Sequence, residues 1–513
     1  MSDSHQTLML QESQCVPSAA AIGALGRESM AYTALRELQI SVREDLARCG
    51  IGRTDRVAII LPNGPAMASC FMSVAGSTGA APLNPGYRET EFEFYLSDLE
   101  PGAVIVAQGT ETPVRDVALR LGIRIIELVE DTEAAAGKFT FEFTAAQRQP
   151  ATTPAGADDV ALVLHTSGTT SRPKIVPLSQ ANLCASARHI AQTLALTPQD
   201  RCLNIMPLFH IHGLIAAVLA TVSSGGEVVC SPGFNAVRFF AWLDQVEPSW
   251  YTAVPTMHQL ILERVARNRE IADTCELRFI RSSSASLPAP VMESLGQTFS
   301  CPVIESYGMT EACHQMTSNP LPPAPSKAGS VGLPAGPEVR LMGEDGQFVA
   351  DGTQGEIVIR GPNVTAGYEK NPNANASGFQ PDPDGGAKWF RTGDLGVFDD
   401  DNYLRIDGRI KEIINRGGEK ISPREVDDVL IEHQAIKQIV TFAVRHSKLG
   451  EDVAAAVILH EGATLTEKEL RYFAGERLAS FKVPRTVCFV DEIPKGSTGK
   501  LQRIGLAGKL GLE

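Results

Sequence analysis

The chain has 513 residues, 43% of them hydrophobic and 21% charged, which is enough apolar material for at least two domains and too little charge for a disordered polyampholyte. Its net charge of −14, from 46 basic and 60 acidic side chains, argues against a broad nucleic-acid surface, so an anionic ligand must be met by a few local cations. The ten cysteines include no Cys-x-x-Cys pair and read as reduced, mostly buried side chains of a cytoplasmic protein.

The N-terminal stretch has no basic end followed by a long apolar run, so no signal peptide is expected, and the terminal "GKLGLE" is not a peroxisomal address. In chain order, "DRVAIILPN" is an apolar run stopped by Pro and Asn and reads as a strand; "GPAMASCFMSVAGSTGA" reads as a helix; "PGAVIVAQG" and "GIRIIEL" are two further strands. "DDVALVLHT" is another, running into the polar stretch "HTSGTTSRPK". The longest apolar run, "IHGLIAAVLATV", holds a histidine and is too short to span a bilayer. "QDRCLNIMPL", "GGEVVCSP", "PSWYTAVP" and "ELRFIRSSS" add four strands. Short apolar strands separated by longer segments predict parallel sheets covered by helices.

From Glu338 the texture changes. "EVRLMGEDGQFVADGTQGEIVIRG" and "LGVFDDDNYLRIDGR" alternate around tight turns, which predicts an antiparallel layer or small barrel. In "ISPREVDDVL", Ser422 as cap and Pro423 at the first helical position predict a helix start. The remainder, with strands in "IKQIVTFAVR", "EDVAAAVIL" and "RTVCFVDEIP" and a helix in "TEKELRYFAGERL", suffices for a small α+β domain. The expected division is a large N-terminal domain, 1–406, of parallel or mixed sheets with helices and a small barrel, then a C-terminal domain, 407–513.

The polar stretch carries the first functional signal. Gly168 permits a tight turn, and the backbone amides around it, with the hydroxyls of Thr166, Ser167, Thr169, Thr170 and Ser171, suit phosphate oxygens; Lys174 adds a positive charge. The spacing is not that of a Walker loop, and a polar surface turn has a similar composition.

This stretch resembles the phosphate loop of the adenylate-forming superfamily, which includes acyl-CoA synthetases, coumarate–CoA ligases, luciferases and the adenylation domains of peptide synthetases. Four more motifs follow in the family's order: "SYGMTE" (Ser306 to Glu311), "WFRTGD" (Trp389 to Asp394), "DGRIKEIINRGGEKISPREVD" and "PKGSTGK" (Pro494 to Lys500). Two positions depart from the pattern, Ser171 and Ile175, where many members have Gly. The resemblance covers essentially the whole chain. It implies ATP, Mg2+ and coenzyme A as the small-molecule partners of a carboxylic acid, with no nucleic acid, no membrane span and an open oligomeric state.

The same residues make chemical sense individually. Asp394 offers a carboxylate to a ribose diol, and Arg409 suits ribose or phosphate. Glu311 is a hard oxygen ligand for magnesium. Thr310 is a donor to a phosphoryl oxygen, and Tyr307, with Gly308 beside it, can stack on adenine. Lys500 follows a loop without an apolar anchor and would bridge the acid's carboxylate and the α-phosphate, offsetting two like charges. By resemblance, Asp407 is the hinge, and Gly417 and Gly418, with Glu419, line the thiol channel. Lys500, Thr310 and His210 are the expected catalytic groups.

By resemblance, the acid pocket is lined by residues 205–213, 281–287 and 308–316, bringing His210, Ser283, Ser284, Ala285 and His314 around the acid. Two histidines and several hydroxyls do not suit a fatty tail, since buried donors without partners are costly, and they suit a second carboxylate. Within the superfamily, "HTSGTTSRPK" and "RSSSASL" resemble most the oxalate–CoA ligase branch. Malonate, other short or medium-chain acids and coumarate-type acids stand as alternatives. A stand-alone adenylation domain loading a carrier protein is a further one, against which Phe234-Asn235 stands where such modules have Phe-Asp.

Overall fold

Strands buried on both faces need unbroken apolar runs, and these build two large sheets. In the computed structural model, which describes residues 6–10, 16–146, 152–166, 173–350, 352–494 and 503–512, a seven-stranded sheet runs in the order Phe139–Glu142, Arg124–Glu130, Ala103–Ala107, Arg56–Ile60, Gly79–Pro82, β1 (Val160–Thr166) and β2 (Lys174–Ser179). Its inner pairings are parallel; the two edge pairings, including β1 with β2, are antiparallel. The helix Pro65–Ala75 starts on a proline and is buried on nearly every side; its residues are apolar except Ser69 and Ser73, whose hydroxyls donate to the Gly137 and Ser69 carbonyls.

A nine-stranded sheet holds Arg201–Asn204 and Glu227–Cys230 as adjacent strands. On one side follow β3 (Trp250–Ala253), β4 (Phe279–Ser283), β5 (Val303–Met309), β6 (His314–Ser318) and a two-residue edge at Leu333–Pro334. The order β3, β4, β5 is parallel; β5 and β6 form an antiparallel pair with a bulge between Tyr307 and Gly308. Helices cover the sheet through a core that includes Phe239, Phe240, Trp242, Tyr251 and Phe299. The apolar run after His210 becomes a fully buried π-helical segment, His212–Leu219.

The chain divides into two compact units. The first holds both large sheets and comprises the residues up to Thr166, Lys174–Val339 and Ile359–Ser377; the second is built mainly from Arg340–Val358 and Gly378–Glu513. An antiparallel half-barrel sheet centres on β7 (Trp389–Phe398), which pairs with Phe379–Gln380 and with β8 (Leu404–Arg409). In the second unit a further five-stranded sheet, containing Ile436–His446 and Gly450–Leu459, packs against helices Pro423–Leu430 and Glu467–Gly475. The first starts as its sequence predicts, the Ser422 hydroxyl accepting from the backbone N–H of Glu425, and the Thr466 hydroxyl caps the second in the same way, accepting from Glu469 N–H. The nine described cysteines are all free, and burial pushes the Cys230 thiol up to about 12. Among the described residues no helix is long and apolar enough to cross a membrane.

Candidate active site

In the first unit, β1 delivers the chain to the polar stretch and β2 takes it away, so Thr166 and Lys174 are register partners at its two ends. Ser167, Gly168, Thr169, Thr170 and Ser171 lie outside the described residues, as does Lys500. His165, one residue before, is fixed by Asp98 at 3.0 Å; burial lowers its pKa, against the pull of that carboxylate. Ile175 is 3% exposed and packs beside Val163, so this position serves the core where a glycine would leave a gap.

Lys174 Nζ lies 4.2 Å from the centre of the Tyr368 ring, a cation–π contact. The hydroxyl of the same tyrosine donates to Glu311 Oε1 at 2.8 Å. One aromatic side chain thus joins the lysine of the phosphate stretch to the carboxylate expected to serve a metal. Glu311 is 5% exposed and sits in the short turn Thr310–Ala312 between β5 and β6, with its carbonyl accepting from Thr365 N–H at 2.8 Å. Tyr307, Gly308 and Thr310, at the end of β5 and the start of this turn, are half-buried. Gly308 is required by close approach: a Cβ there would stand 1.4 Å from the His314 carbonyl oxygen on β6.

Beyond the turn, Cys313 and His314 both have positive φ, 51° and 97°, a backbone that L-residues adopt only when their surroundings hold it. The holding is visible. Ser186 donates to the Cys313 carbonyl at 2.6 Å, and Asn363 donates to the carbonyls of Ala312 and Gln315 at 2.8 and 3.2 Å. The result turns the His314 ring into the buried face of the sheet, with its centroid 4.8 Å from that of His212.

His212, at the start of the π-helical segment, is 2% exposed and bonded at both nitrogens: Nδ1 to Ser284 Oγ at 3.1 Å and Nε2 to Thr252 Oγ1 at 2.7 Å. Thr252 on β3 and Arg281 on β4 are register partners and so point to one face. Arg281 is fully buried; its Nη2 donates to His314 Nδ1 at 3.4 Å and to Gln315 Oε1 at 3.2 Å. Thus Arg281, His314, His212, Ser284 and Thr252 form one connected polar group inside the first unit.

Among the residues expected at the acid, His314 and Ser284 join this group. Ser283 is buried with its hydroxyl donating to the Ser306 carbonyl at 2.9 Å, so it serves the strand pair, and Ala285 is exposed. His210 is half-buried against Phe209, with ring centroids 4.5 Å apart. His212, Arg281, Thr252 and Tyr368 were not singled out from sequence.

In the second unit, Asp394 and Arg409 are register partners on β7 and β8. Arg409 Nε donates to Asp394 Oδ1 at 2.7 Å and Nη2 to Oδ2 at 3.5 Å, and Asp394 N–H donates to Thr392 Oγ1 at 3.1 Å. Asp394 is 6% exposed; a carboxylate gripped in this way retains lone pairs for further donors. Asp407, also on β8, accepts from Arg405 at 2.9 Å and from Gln354 at 2.7 Å, while its carbonyl accepts from the Ser422 hydroxyl. Gly417 and Gly418 turn the chain between Ile414–Arg416 and Glu419–Ile421 with φ of 61° and 100°, a pair of left-handed conformations that glycine adopts without steric penalty.

The sequence matches the AMP-binding enzyme family over residues 12–369 and the AMP-binding enzyme C-terminal domain over residues 425–500. An oxalate–CoA ligase of Arabidopsis thaliana is 41% identical, the match covering 98% of this chain and 98% of that protein. An oxalate–CoA ligase of Saccharomyces cerevisiae is 41% identical over 88% of this chain and 86% of its own. Among solved structures, the o-succinylbenzoate coenzyme A synthetase of Bacillus subtilis in complex with ATP and magnesium ion shares the fold with a TM-score of 0.81 at 28% identity, covering 98% of this chain and 99% of that one.

Proposed function

The chain belongs to the AMP-binding enzyme family, and from that premise we propose that it is an oxalate–CoA ligase, joining oxalate to coenzyme A with conversion of ATP to AMP and diphosphate. A carboxylate acylates thiols poorly because its leaving group is bad. In the first half-reaction a carboxylate oxygen of oxalate attacks the α-phosphorus of ATP, and diphosphate leaves. In the second the thiol sulfur attacks the acyl carbon, and AMP leaves.

The residues take roles that follow from their chemistry. Thr166, Ser167, Gly168, Thr169, Thr170 and Lys174 bind the polyphosphate; Tyr307 and Gly308 meet the base; Thr310 donates to a phosphoryl oxygen. Asp394 accepts from the ribose hydroxyls while Arg409 orients it. Magnesium on a nucleotide needs only one or two protein carboxylates, with phosphates and waters completing its shell, and would neutralise phosphate charge. Glu311 fits that demand: it is buried, oriented by Tyr368, and no cluster of three His, Cys, Asp or Glu is present among the described residues. Lys500 offsets the charges of carboxylate and α-phosphate as they approach. In our reading residues 407–513 are the mobile C-terminal domain, Asp407 is its hinge, and Gly417 and Gly418 line the thiol path.

The observation that carries the acid assignment is the buried polar group itself. His212 and His314 stand ring to ring beside Ser284, where a fatty or aromatic acid would need apolar walls. His314 and Ser284 meet the distal carboxylate, His212 holds Ser284, and His210 stands at the reacting carboxylate. The test is AMP release by purified enzyme with ATP, coenzyme A and a panel of acids: oxalate, malonate, acetate, a medium-chain fatty acid and coumarate. Oxalate should give the highest kcat/KM. A preference for malonate would move the assignment to a longer diacid, and a preference for the fatty acid or coumarate would overturn it.

A further inference from the structure

A buried cation ordinarily finds a carboxylate, because an uncompensated charge in a low-dielectric interior is costly. Arg281 does not. It is fully buried on β4, and among the described residues its Nε and Nη1 have no hydrogen-bond partner and the guanidinium makes no ion pair. Among the described residues its two hydrogen bonds go to His314 Nδ1 and Gln315 Oε1, neither of them a carboxylate. Gln315 is itself fixed, its amide donating to Thr193 Oγ1 at 3.1 Å and to the Ala335 carbonyl at 3.0 Å, so its oxygen is turned to the arginine. Burial lowers the Arg281 pKa to about 9, which leaves the group charged at neutral pH.

Two consequences follow. A guanidinium is a donor only, so the His314 nitrogen that faces it accepts and carries no proton; the ring proton stands on Nε2. An imidazolium at His314 would set N–H against N–H. Among the described residues no carboxylate answers this positive charge, which stands one side chain behind the proposed acid pocket.

We propose that Arg281 is the positioning residue that selects doubly charged acids: it holds His314 neutral with its proton on Nε2, and its own charge is answered by the second negative group of the substrate. The proposal rests on the oxalate reading and deepens it. Arg281 does not touch the acid. It acts through His314 and through the field of its unit charge, which across about 10 Å at an effective dielectric near 20 favours a dianion over a monoanion by about ten-fold or more.

The test compares oxalate with oxamate, which has nearly the same shape and one charge fewer, in the wild type, Arg281→Met and Arg281→Lys. The ratio of kcat/KM for oxalate over oxamate should fall at least about ten-fold in Arg281→Met, through KM for oxalate, while KM for ATP stays within about two-fold; Arg281→Lys should recover part of the ratio. In parallel, imidazole 15N shifts of the wild type, assigned with His314→Gln, should show His314 neutral and protonated at Nε2 between pH 6 and 8. This readout needs no substrate and no variant at Arg281, so it decides the matter even where Arg281→Met fails to fold. An unchanged selectivity ratio in a folded Arg281→Met protein, or a His314 ring protonated at Nδ1, overturns the proposal. A wild type that prefers malonate over its monoamide, and both over oxalate, would overturn the oxalate reading alone, and the same variants would then be scored on that pair.

Discussion

Replacing Gly308 by alanine should damage the proposed acid pocket from behind. The added Cβ would lie 1.4 Å from the His314 carbonyl oxygen, 2.4 Å from its carbon and 3.1 Å from Gln315 N. All three are backbone atoms, so no rotamer change relieves the clash. To bring the nearest contact to 3.0 Å, β5 and β6 must part by about 1.6 Å. The Arg281–His314 hydrogen bond, already 3.4 Å, would not survive a shift of that size. Overpacking of this kind costs about 3 kcal/mol, which lowers the melting temperature of the unit by several degrees. Loss of the His314 hydrogen bond should raise KM for the acid about ten-fold further. Differential scanning calorimetry and acid titration of AMP release measure the two effects. A Gly308→Ala protein with native melting and native KM for the acid would refute the strand geometry on which the pocket depends.

Three further outcomes are expected. Tyr368→Phe keeps the ring under Lys174 and deletes the donor to buried Glu311; ATP–diphosphate exchange should slow by about five- to ten-fold and recover partly at high magnesium, and a magnesium-independent defect would argue against Glu311 as the metal's carboxylate. Asp394→Asn leaves Arg409 without its anion, so KM for ATP should rise about ten-fold or more with little change in KM for the acid; equal effects on both would remove Asp394 from the nucleotide site. Burial pushes fully buried His258 down to about 3, although a hydrogen bond with the Arg281 backbone favours its protonated form. The unfolded chain takes up this proton below about pH 6.5 and the folded chain only near 3, so stability present above pH 6.5 is lost as pH falls, by about 2 kcal/mol at pH 5. His258→Phe should remove that loss in denaturant titrations at pH 5 and 7, and an identical pH difference in variant and wild type would contradict it.

Most strands could be read from sequence because they are buried on both faces and therefore written as apolar runs: "RVAII", "AVIVA" and "VALVLHT" each became one strand. Helix starts at Ser422 and Thr466 were equally local, since a capping hydroxyl and the backbone N–H that donates to it lie within four residues. The proposed acid site was less legible for the opposite reason. His212 gains its place from Thr252, 40 residues away, and from Ser284, 72 residues away, and nothing within its apolar segment marks it apart from His210. Arg281 reads as an ordinary basic residue beside a serine run; only the register that buries it between β3 and β5 makes its charge unusual. Tyr368 belongs to no motif singled out from the sequence, yet it links two of them. Periodicity and caps are encoded in neighbours, whereas a polar site assembled across a parallel sheet is encoded in register.

The most direct test of the account is a crystal structure with a sulfamoyl adenosine analogue of oxalyl-adenylate bound. The free carboxylate should lie within hydrogen-bond distance of His314 Nε2 and the Ser284 hydroxyl, with His212 still bonded to Ser284 and Arg281 to His314. A free carboxylate directed away from both imidazoles, or bound by other side chains while this polar group stays closed on itself, would contradict it.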